Sequence, residues 1–444
     1  MAPPPELPRL RARTVAVDAP GDLLTRVPDE VDPRDVVTWL REGDGLVGWG
    51  RVACVRTSGP GRFEDAEAWW TRVRASAQVE DEVRLPGTGL VCFGSFAFSD
   101  ASQDASVLTV PQVLIGRRDG LSWVTHIVTD DEPWPTAHPA ELLGRTNEHL
   151  GTLDPLVESE GSIPADGWPA VVAGAVLRIE RGEVDKVVLA RDVAVRHRDG
   201  RSVRLAPVLE RLEKRYAATW TFAVDGLVGA TPEMLVRLQG GTARSRVLAG
   251  TIRRAGRASA PAPDEAPGSS PEHPVDPRLR LVRSAKDLDE HAFAVRSVAE
   301  ALAPHCAELV VPEAPYVLEL PDVYHLASDL TGTMRSGATS LRLAAALHPS
   351  AAVCGTPTGA AAAVIAELEG MDRGRYAGPV GWMDGCGDGD WGIALRCGEL
   401  SPDRRAMRLF AGGGIVAASD PDAELAETEV KLTAMRHALG LREG

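Results

Sequence analysis

The sequence predicts an α+β fold. Two observations carry this: strands and helices are mixed without regular βαβ alternation, and the strands of the last third have hairpin-like spacing. In the first 165 residues, short apolar runs read as strands at Gly89–Phe98, Val107–Ile115 and Leu121–Val128, separated by polar, Pro-rich connections. From Trp168 the texture changes. A helix is expected over Pro169–Glu180, then a strand Val184–Val195, a helix Ala206–Tyr216 and strands Thr219–Val224 and Val247–Thr251. Helical periodicity continues at Lys286–Ala303, Ser340–Leu347, Ala360–Glu369 and Asp422–Leu439. Strands are expected at His325–Met334, Pro379–Asp384, Trp391–Glu399 and Met407–Ala417. The stretch Ala258–Pro277, rich in Pro, Ala, Ser and acids, cannot bury a core and reads as a mobile loop.

The chain has 444 residues and a net charge of −15, with ample length for a core. Such acidity argues against nucleic acid or an anionic membrane as partner, because phosphate contacts need clustered Lys and Arg. It does not exclude an anionic small molecule held by a few local cations or a metal. The N-terminus lacks the apolar core of a signal peptide, and no stretch has the length of a membrane span. Six scattered cysteines without a C-x-x-C suggest neither a zinc site nor a disulfide framework. A soluble, cytoplasmic protein is expected, as a monomer or weak dimer.

The richest stretch is Asp422–Lys431. Glu424, Glu427 and Lys431 follow at steps of three and four, which places them on one helix face just after Gly412, Gly413 and Gly414. Asp287 and Glu290, three apart in KDLDEH, repeat the idea on another helix. Paired carboxylates suit a hard divalent cation such as Mg²⁺, which takes oxygen ligands. Solvated helix faces are the plainer alternative for either pair alone. Two G-x-G-x-x-G strings, Gly43–Gly48 and Gly387–Gly392, do not sit between a strand and a helix, so no dinucleotide fingerprint is implied; the second reads as a hairpin turn.

Lys186 lies in VDKVVL, on one strand face with Val188 and Ala190. It is either a surface or edge lysine, or a buried one whose ammonium is disfavoured and which can act as a general base. Glu233, in GATPEML, stands where a strand gives way to a turn and could serve as an acid. Gly250 and Thr251 close VLAGT, and Gly412–Gly414 close FAGGG; glycine there either serves the core packing of tight strands or lets backbone amides approach a carboxylate. Arg396, between apolar neighbours in IALRC, would need an anionic partner, and a planar carboxylate matches it. His325, at the head of HLASDLTG, could donate to the same ligand.

Taken together and in this order, these segments resemble the chorismate-binding enzyme family. The resemblance runs through KVVLAR (186–191), ATPE (230–233), LAGTIRR (248–254), SAKDLDEH (284–291), HLASDLTG (325–332) and HPSAAVCGTP (348–357). It continues through GPVGWMD (378–384), ALRC (394–397), AGGGIVAASDP (411–421) and ELAETEVK (424–431). It implies an anthranilate synthase component I-like fold of layered, mostly antiparallel sheets with helices outside. Residues 1–165 would be its variable N-terminal part and 166–444 the catalytic region, together one compact unit.

The resemblance further implies that Glu290 and Glu427 bind Mg²⁺, supported by Asp287 and Glu424. The metal would hold the ring carboxylate of chorismate with help from Gly250 and Thr251. Arg396, Lys431 and the Gly412–Gly414 backbone would hold the enolpyruvyl carboxylate. Members that use water carry lysine at the position of Lys186, so the implied reaction is water addition at C2 with loss of the 4-hydroxyl, Lys186 as base and Glu233 as acid. That is isochorismate synthase chemistry, which feeds menaquinone or siderophore synthesis. Relatives that go on to eliminate pyruvate, or that aminate, usually have threonine where this chain has Ala352, which favours isochorismate as the product. A salicylate synthase is the nearest rival, and a catalytically silent chorismate-binding module the rival from another class. Lys186 and Glu233 together argue against the silent module, since binding needs neither base nor acid. An ammonia-using synthase fits less well, given Lys186 and no glutaminase segment. The chain departs from the commonest pattern at Gly413, often alanine in relatives, and in the long 258–277 segment.

Overall fold

Apolar runs too short for helices fold into strands that pair mainly with neighbours running the opposite way. The computed structural model describes residues 9–18, 20–132, 138–143, 156–253, 276–319 and 323–441. The first third supplies β1 (Leu10–Val17), β2 (Val37–Arg41), β3 (Asp44–Trp49), β4 (Ala53–Thr57), α1 (Arg62–Ser76) and β5 (Gln78–Asp81). Next come β6 (Val91–Ser95), β7 (Ser106–Val110), β8 (Val113–Arg118), β9 (Leu121–Thr129) and β10 (Leu156–Glu160). They are followed by α2 (Trp168–Glu180), β11 (Lys186–His197), α3 (Ala206–Arg215), β12 (Trp220–Val224), β13 (Leu227–Thr231) and β14 (Met234–Gln239). Then follow β15 (Thr242–Arg253), α4 (Pro277–Arg283), α5 (Ala285–Leu302), β16 (Cys306–Val310), β17 (Tyr316–Glu319) and β18 (Val323–Met334). The chain ends with α6 (Ser340–Ala346), β19 (Gly355–Thr356), α7 (Thr358–Leu368), β20 (Pro379–Asp384), β21 (Gly389–Ile393), β22 (Cys397–Leu400), β23 (Ala406–Ile415) and α8 (Pro421–Ala438).

Two compact units result: residues 1–239 with 339–444, and residues 240–338. In the first unit one sheet runs β10-β11-β23-β22-β13-β12-β2-β3-β8-β9-β1-β5, with β19 also on β11. A second set runs β14-β21-β20-β6-β7-β4. Pairing is antiparallel apart from β1 with β5. Helices α3 and α8 cover the first sheet, where Leu209, Leu212, Leu432 and Met435 meet Val193, Val195, Leu409 and Ala411 in one core. Each such buried Leu, Val or Met side chain contributes about 1.5–3 kcal/mol, and their spacing on α8 fixes which helix face is left to carry Glu424, Glu427 and Lys431.

The second unit has the strand order β16-β18-β15, with β17 also pairing β18, all antiparallel. Helix α5 packs Val295 against Val247 and Leu330, and α4 packs Leu281 against Tyr324 and Leu326.

Several expected elements differ in their details. The run Val107–Ile115 is two strands, β7 and β8, which belong to different sheets. Pro111, between them, has no N–H to continue a ladder. The run Trp391–Glu399 also divides, into β21 and β22, so Arg396 lies in the connecting bend and not in a strand; its φ of 47° is left-handed. The strand at Val247–Thr251 extends over Thr242–Arg253, with an irregular register between Ala249 and Thr251. Helix α1 was not expected, although Phe63, Ala66, Trp70 and Val73 bury one face of it. Of the 258–277 segment, residues 258–275 lie outside the described residues; Asp276 caps α4 by accepting from the Arg278 amide at 2.9 Å, and Pro277 opens the helix. Both G-x-G-x-x-G strings fall in hairpins, β2–β3 and β20–β21. All six cysteines are unpaired thiols. Among the described residues no helix is long and apolar enough to cross a membrane.

Candidate active site

Strand β11 brings the first group. Lys186 heads it, half-buried, paired with Thr356 of β19 on one side, while β23 runs along the other. It is therefore on an interior strand and not on an edge. The register sets Val188 opposite Gly414 and Ala190 opposite Gly412. A Cβ on Gly414 would lie 3.0 Å from Lys186 Cε, so glycine leaves room for the lysine chain. On the next residue, a Cβ on Gly413 would lie 3.0 Å from Glu424 Oε2 and 3.7 Å from Glu427 Oε1. Successive strand residues point to opposite faces. Lys186 and the two carboxylates therefore approach the glycine run from opposite sides.

Helix α8 delivers those carboxylates. Asp420 caps it by accepting from the Ala423 amide at 2.9 Å, and Pro421 occupies its first turn. Glu424 accepts from Ser419 Oγ at 2.7 Å; burial and the neighbouring Glu427 nevertheless raise its pKa. Glu427 meets Lys431 at 2.7 Å, and Lys431 Nζ donates to the Gly412 carbonyl, also at 2.7 Å. The helix is locked in register by a buried residue of β11. Arg191 donates through Nη1 to Thr428 Oγ1 at 3.3 Å and pairs with Glu429, which Arg436 ties on to Glu158 of β10.

Glu233 lies between β13 and β14, where no helix begins. Its amide donates to Thr231 Oγ1 at 3.2 Å, Thr231 Oγ1 donates to the Ile393 carbonyl at 2.6 Å, and the Ile393 amide donates to the Glu233 carbonyl at 3.0 Å. This closed set fixes the backbone of Glu233, whose carboxyl lies within electrostatic reach of Lys186 and Lys431. Burial raises the Glu233 pKa, and the two lysine charges oppose that rise. Arg396 is held by its backbone, since its carbonyl accepts from the Ala230 amide at 3.2 Å. Burial lowers the pKa of its guanidinium, partly offset by Tyr216. Among the described residues no carboxylate pairs with that guanidinium. Ala352 is exposed in the turn before β19.

The second unit holds the other predicted residues. Thr251 of β15 lies opposite His325 of β18, beside the register irregularity that contains Gly250. Such a bulge leaves backbone groups outside the ladder. Asp287 and Glu290 are on α5, three apart on one face; their side chains lie outside the described residues. His291, the next residue, bonds Ser328 Oγ at 2.8 Å through Nε2, with both side chains buried, and pins this turn of α5 to β18. The structure thus brings Lys186, Glu233, Gly412–Gly414, Glu424, Glu427 and Lys431 into one neighbourhood of the first unit. In the second it places Gly250, Thr251 and His325 on the paired strands β15 and β18, and Asp287 and Glu290 on α5. Sequence reasoning missed the roles of Arg191, His291, Glu369 and Arg373. Arg191 and His291 lie inside quoted motifs, KVVLAR and SAKDLDEH; for Arg191, a charged residue amid apolar strand neighbours is the available signal.

The donor set fits a hard cation. Glu424 and Glu427 supply oxygens only; burial is the main cause of the raised Glu424 pKa, and the neighbouring Glu427 adds to it. Among the described residues, no group of three or more metal-ligating side chains is assembled.

Comparison with known proteins agrees with this architecture. Residues 37–440 match the family model described as "Chorismate binding enzyme". The chain is 37% identical to the isochorismate synthase DhbC of Bacillus subtilis over 285 residues, 61% of this chain and 67% of that protein. It is 41% identical to the salicylate biosynthesis isochorismate synthase of Pseudomonas aeruginosa over 463 residues, covering 96% of this chain and 91% of that protein. The solved structure of MenF, the menaquinone-specific isochorismate synthase of Escherichia coli, superposes with a TM-score of 0.73 at 22% identity, covering 97% of this chain and 95% of that one, and shows the shared fold. With a family model spanning nearly the whole sequence and relatives matched over most of their own length, the chain belongs to the chorismate-binding enzyme family.

Proposed function

We propose that this enzyme is an isochorismate synthase, an isomerase that adds water at C2 of chorismate and expels the 4-hydroxyl, with Lys186 as base and Glu233 as acid. The observation that carries the reading is that the half-buried Glu233 lies within electrostatic reach of Lys186 and Lys431 while burial raises its pKa. An acid must hold its proton until the leaving group needs it, and burial serves that end. Lys186 takes a proton from the attacking water as its oxygen bonds to C2. Glu233 gives a proton to the 4-hydroxyl, which departs as water. One hydroxyl is gained and one lost, so the product is an isomer of the substrate.

Chorismate carries two carboxylates, and the site offers cations for both. Arg396, without a carboxylate partner among the described residues, and Lys431, beside the Gly412 carbonyl, suit the enolpyruvyl carboxylate together with the Gly412–Gly414 backbone. Mg²⁺ held by Glu427 and Glu290, with Glu424 and Asp287 in support, would neutralise the ring carboxylate when bound. Gly250, Thr251 and His325 complete the cradle for that group. In this reading residues 1–165 are the variable scaffold and 166–444 the catalytic region of a cytoplasmic enzyme, monomeric or weakly dimeric.

Incubating the purified protein with chorismate and Mg²⁺ and separating the products tests the reading. Isochorismate with little salicylate or pyruvate near neutral pH is expected. Stoichiometric pyruvate would instead establish a salicylate synthase. The same assay on Ala352→Thr is expected to show lower isochorismate output, because a hydroxyl and a branch are added in the turn before β19.

A further inference from the structure

Strand β11 lacks a strand neighbour along part of one side. There β19 covers only Lys186 and Val187, and β10 covers Val193–His197. A buried ion pair satisfies backbone groups in the gap. Glu369 accepts from the Ala190 amide at 2.7 Å, and Arg373 donates through Nη2 to the Val188 carbonyl at 2.6 Å. The same guanidinium donates through Nη1 to the Val353 carbonyl at 2.9 Å and through Nε to Glu369 at 2.9 Å. Glu369 is 1% exposed and Arg373 3%. Phe98 closes the far side, its ring 4.2 Å from Arg373 Cζ.

These bonds join two segments that matter for the chemistry. Val188 is two residues from Lys186 on the same strand face, and Val353 follows Ala352. The Val188 amide also donates to the Cys354 carbonyl at 2.9 Å, so the turn is stitched to the strand from both sides. Contact is close enough that a Cβ on Gly355, whose φ is 133°, would fall 2.3 Å from the Lys186 carbonyl. An arginine can hold a carboxylate and two carbonyls at once because its donors are fixed in one plane. A lysine head group in the same place could not span all three.

We propose that Glu369 and Arg373 are positioning residues for water addition, which hold the Lys186 end of β11 at a fixed distance from the Ala352 turn. This rests on the assignment of Lys186 as the base. Neither side chain has a surface open to substrate, so each acts only through the backbone it holds. A reacting group displaced by about 1 Å can lose about 10²-fold in rate. Loosening the pair is therefore expected to lower kcat and not to weaken chorismate binding, which is assigned to other residues.

The test uses Arg373→Lys and the double variant Glu369→Met/Arg373→Met. The double variant removes both charges at once and leaves no ion buried alone, so it keeps a folded protein available if the single variant fails to fold. Rates are expressed per folded molecule, with the folded fraction taken from near-ultraviolet circular dichroism and gel filtration. The expected result is a kcat lower by about 10- to 100-fold with the KM for chorismate within about threefold of native. A folded double variant with native kcat, or one whose loss lies wholly in KM, would overturn the proposal. If the native enzyme itself fails to make isochorismate, the functional reading fails first, and that outcome is read separately from the variants.

Discussion

The first unit carries ten of the proposed site residues and the second five, and the two hold them by different means. In the first, Lys186, Glu427 and Lys431 stand on elements tied by buried charge: Arg191 to Thr428 and Glu429, and Arg373 to Glu369. In the second, α5 rests on a small cluster of Val247, Val295 and Leu330 and on the His291–Ser328 bond. A large core with satisfied ionic networks opens rarely, whereas a satellite cluster opens at lower cost. The residues proposed as base, acid and enolpyruvyl cradle thus stand on the more tightly tied unit, and α5, which carries the proposed ligands Asp287 and Glu290, stands on the more readily remodelled one.

The largest expected effect comes from cutting both halves at the metal. Glu427→Gln in the first unit and Glu290→Gln in the second are each expected to abolish detectable turnover at ordinary Mg²⁺ while the fold survives, because remaining carboxylates would repel the substrate's. Chelation of the native enzyme should do the same, read by isochorismate formation. Full activity in a chelated assay would remove the metal from the proposed mechanism.

Lys186→Ala comes next. It should cost about 10²–10⁴-fold in rate while Mg²⁺-dependent chorismate binding, measured calorimetrically, is largely kept. Near-native turnover would place the base elsewhere and shift the chemistry-bearing role away from β11.

A smaller effect should appear with pH. Burial raises the Glu233 pKa, and Lys186 and Lys431 hold that rise in check. A raised pKa keeps an acid protonated to higher pH, so kcat should fall as pH climbs through that value. Lys431→Met removes one opposing charge, which should move this descending limb upward in pH. A limb that stays in place would mean that Glu233 does not donate the proton.

Much of the first unit was legible in the sequence because its signals are local. The spacing of Glu424, Glu427 and Lys431 needs only helical periodicity, and α8 places all three on the side of Gly413 and Gly412. The strand Pro379–Asp384 is bounded as expected, and the Gly387–Gly392 string lies where a hairpin turn was read. What was not legible depends on partners distant in sequence. Val107–Ile115 looks like one strand until Pro111 sends its halves to different sheets, and Arg396 looks like a strand residue until its left-handed φ is seen. Glu369 and Arg373 are unremarkable at the end of a helix and in a turn, and only the gap beside β11 gives them work. His291 was covered by the KDLDEH motif as a neighbour of the carboxylates; its bond to Ser328 links positions 37 residues apart.

That bond gives the smallest and most local test of the comparison. His291 and Ser328 are both 2% exposed, so Ser328→Ala removes the buried hydroxyl that His291 Nε2 bonds. Such a loss costs about 1–3 kcal/mol, a sizeable share of what a small satellite cluster can supply. Since α5 and β18 belong to the second unit, the cost should appear there first. Amide hydrogen exchange is expected to quicken along 285–302 and 323–334 while β11 and β23 keep native protection. Chorismate with Mg²⁺ should restore much of the lost protection, because ligands that bind the ordered form stabilise it by mass action. The apparent Mg²⁺ requirement should rise in step, with kcat at saturating Mg²⁺ close to native. Uniform loss of protection across both units would show that they open together, and the contrast between a fixed half and a remodelled half would then fail.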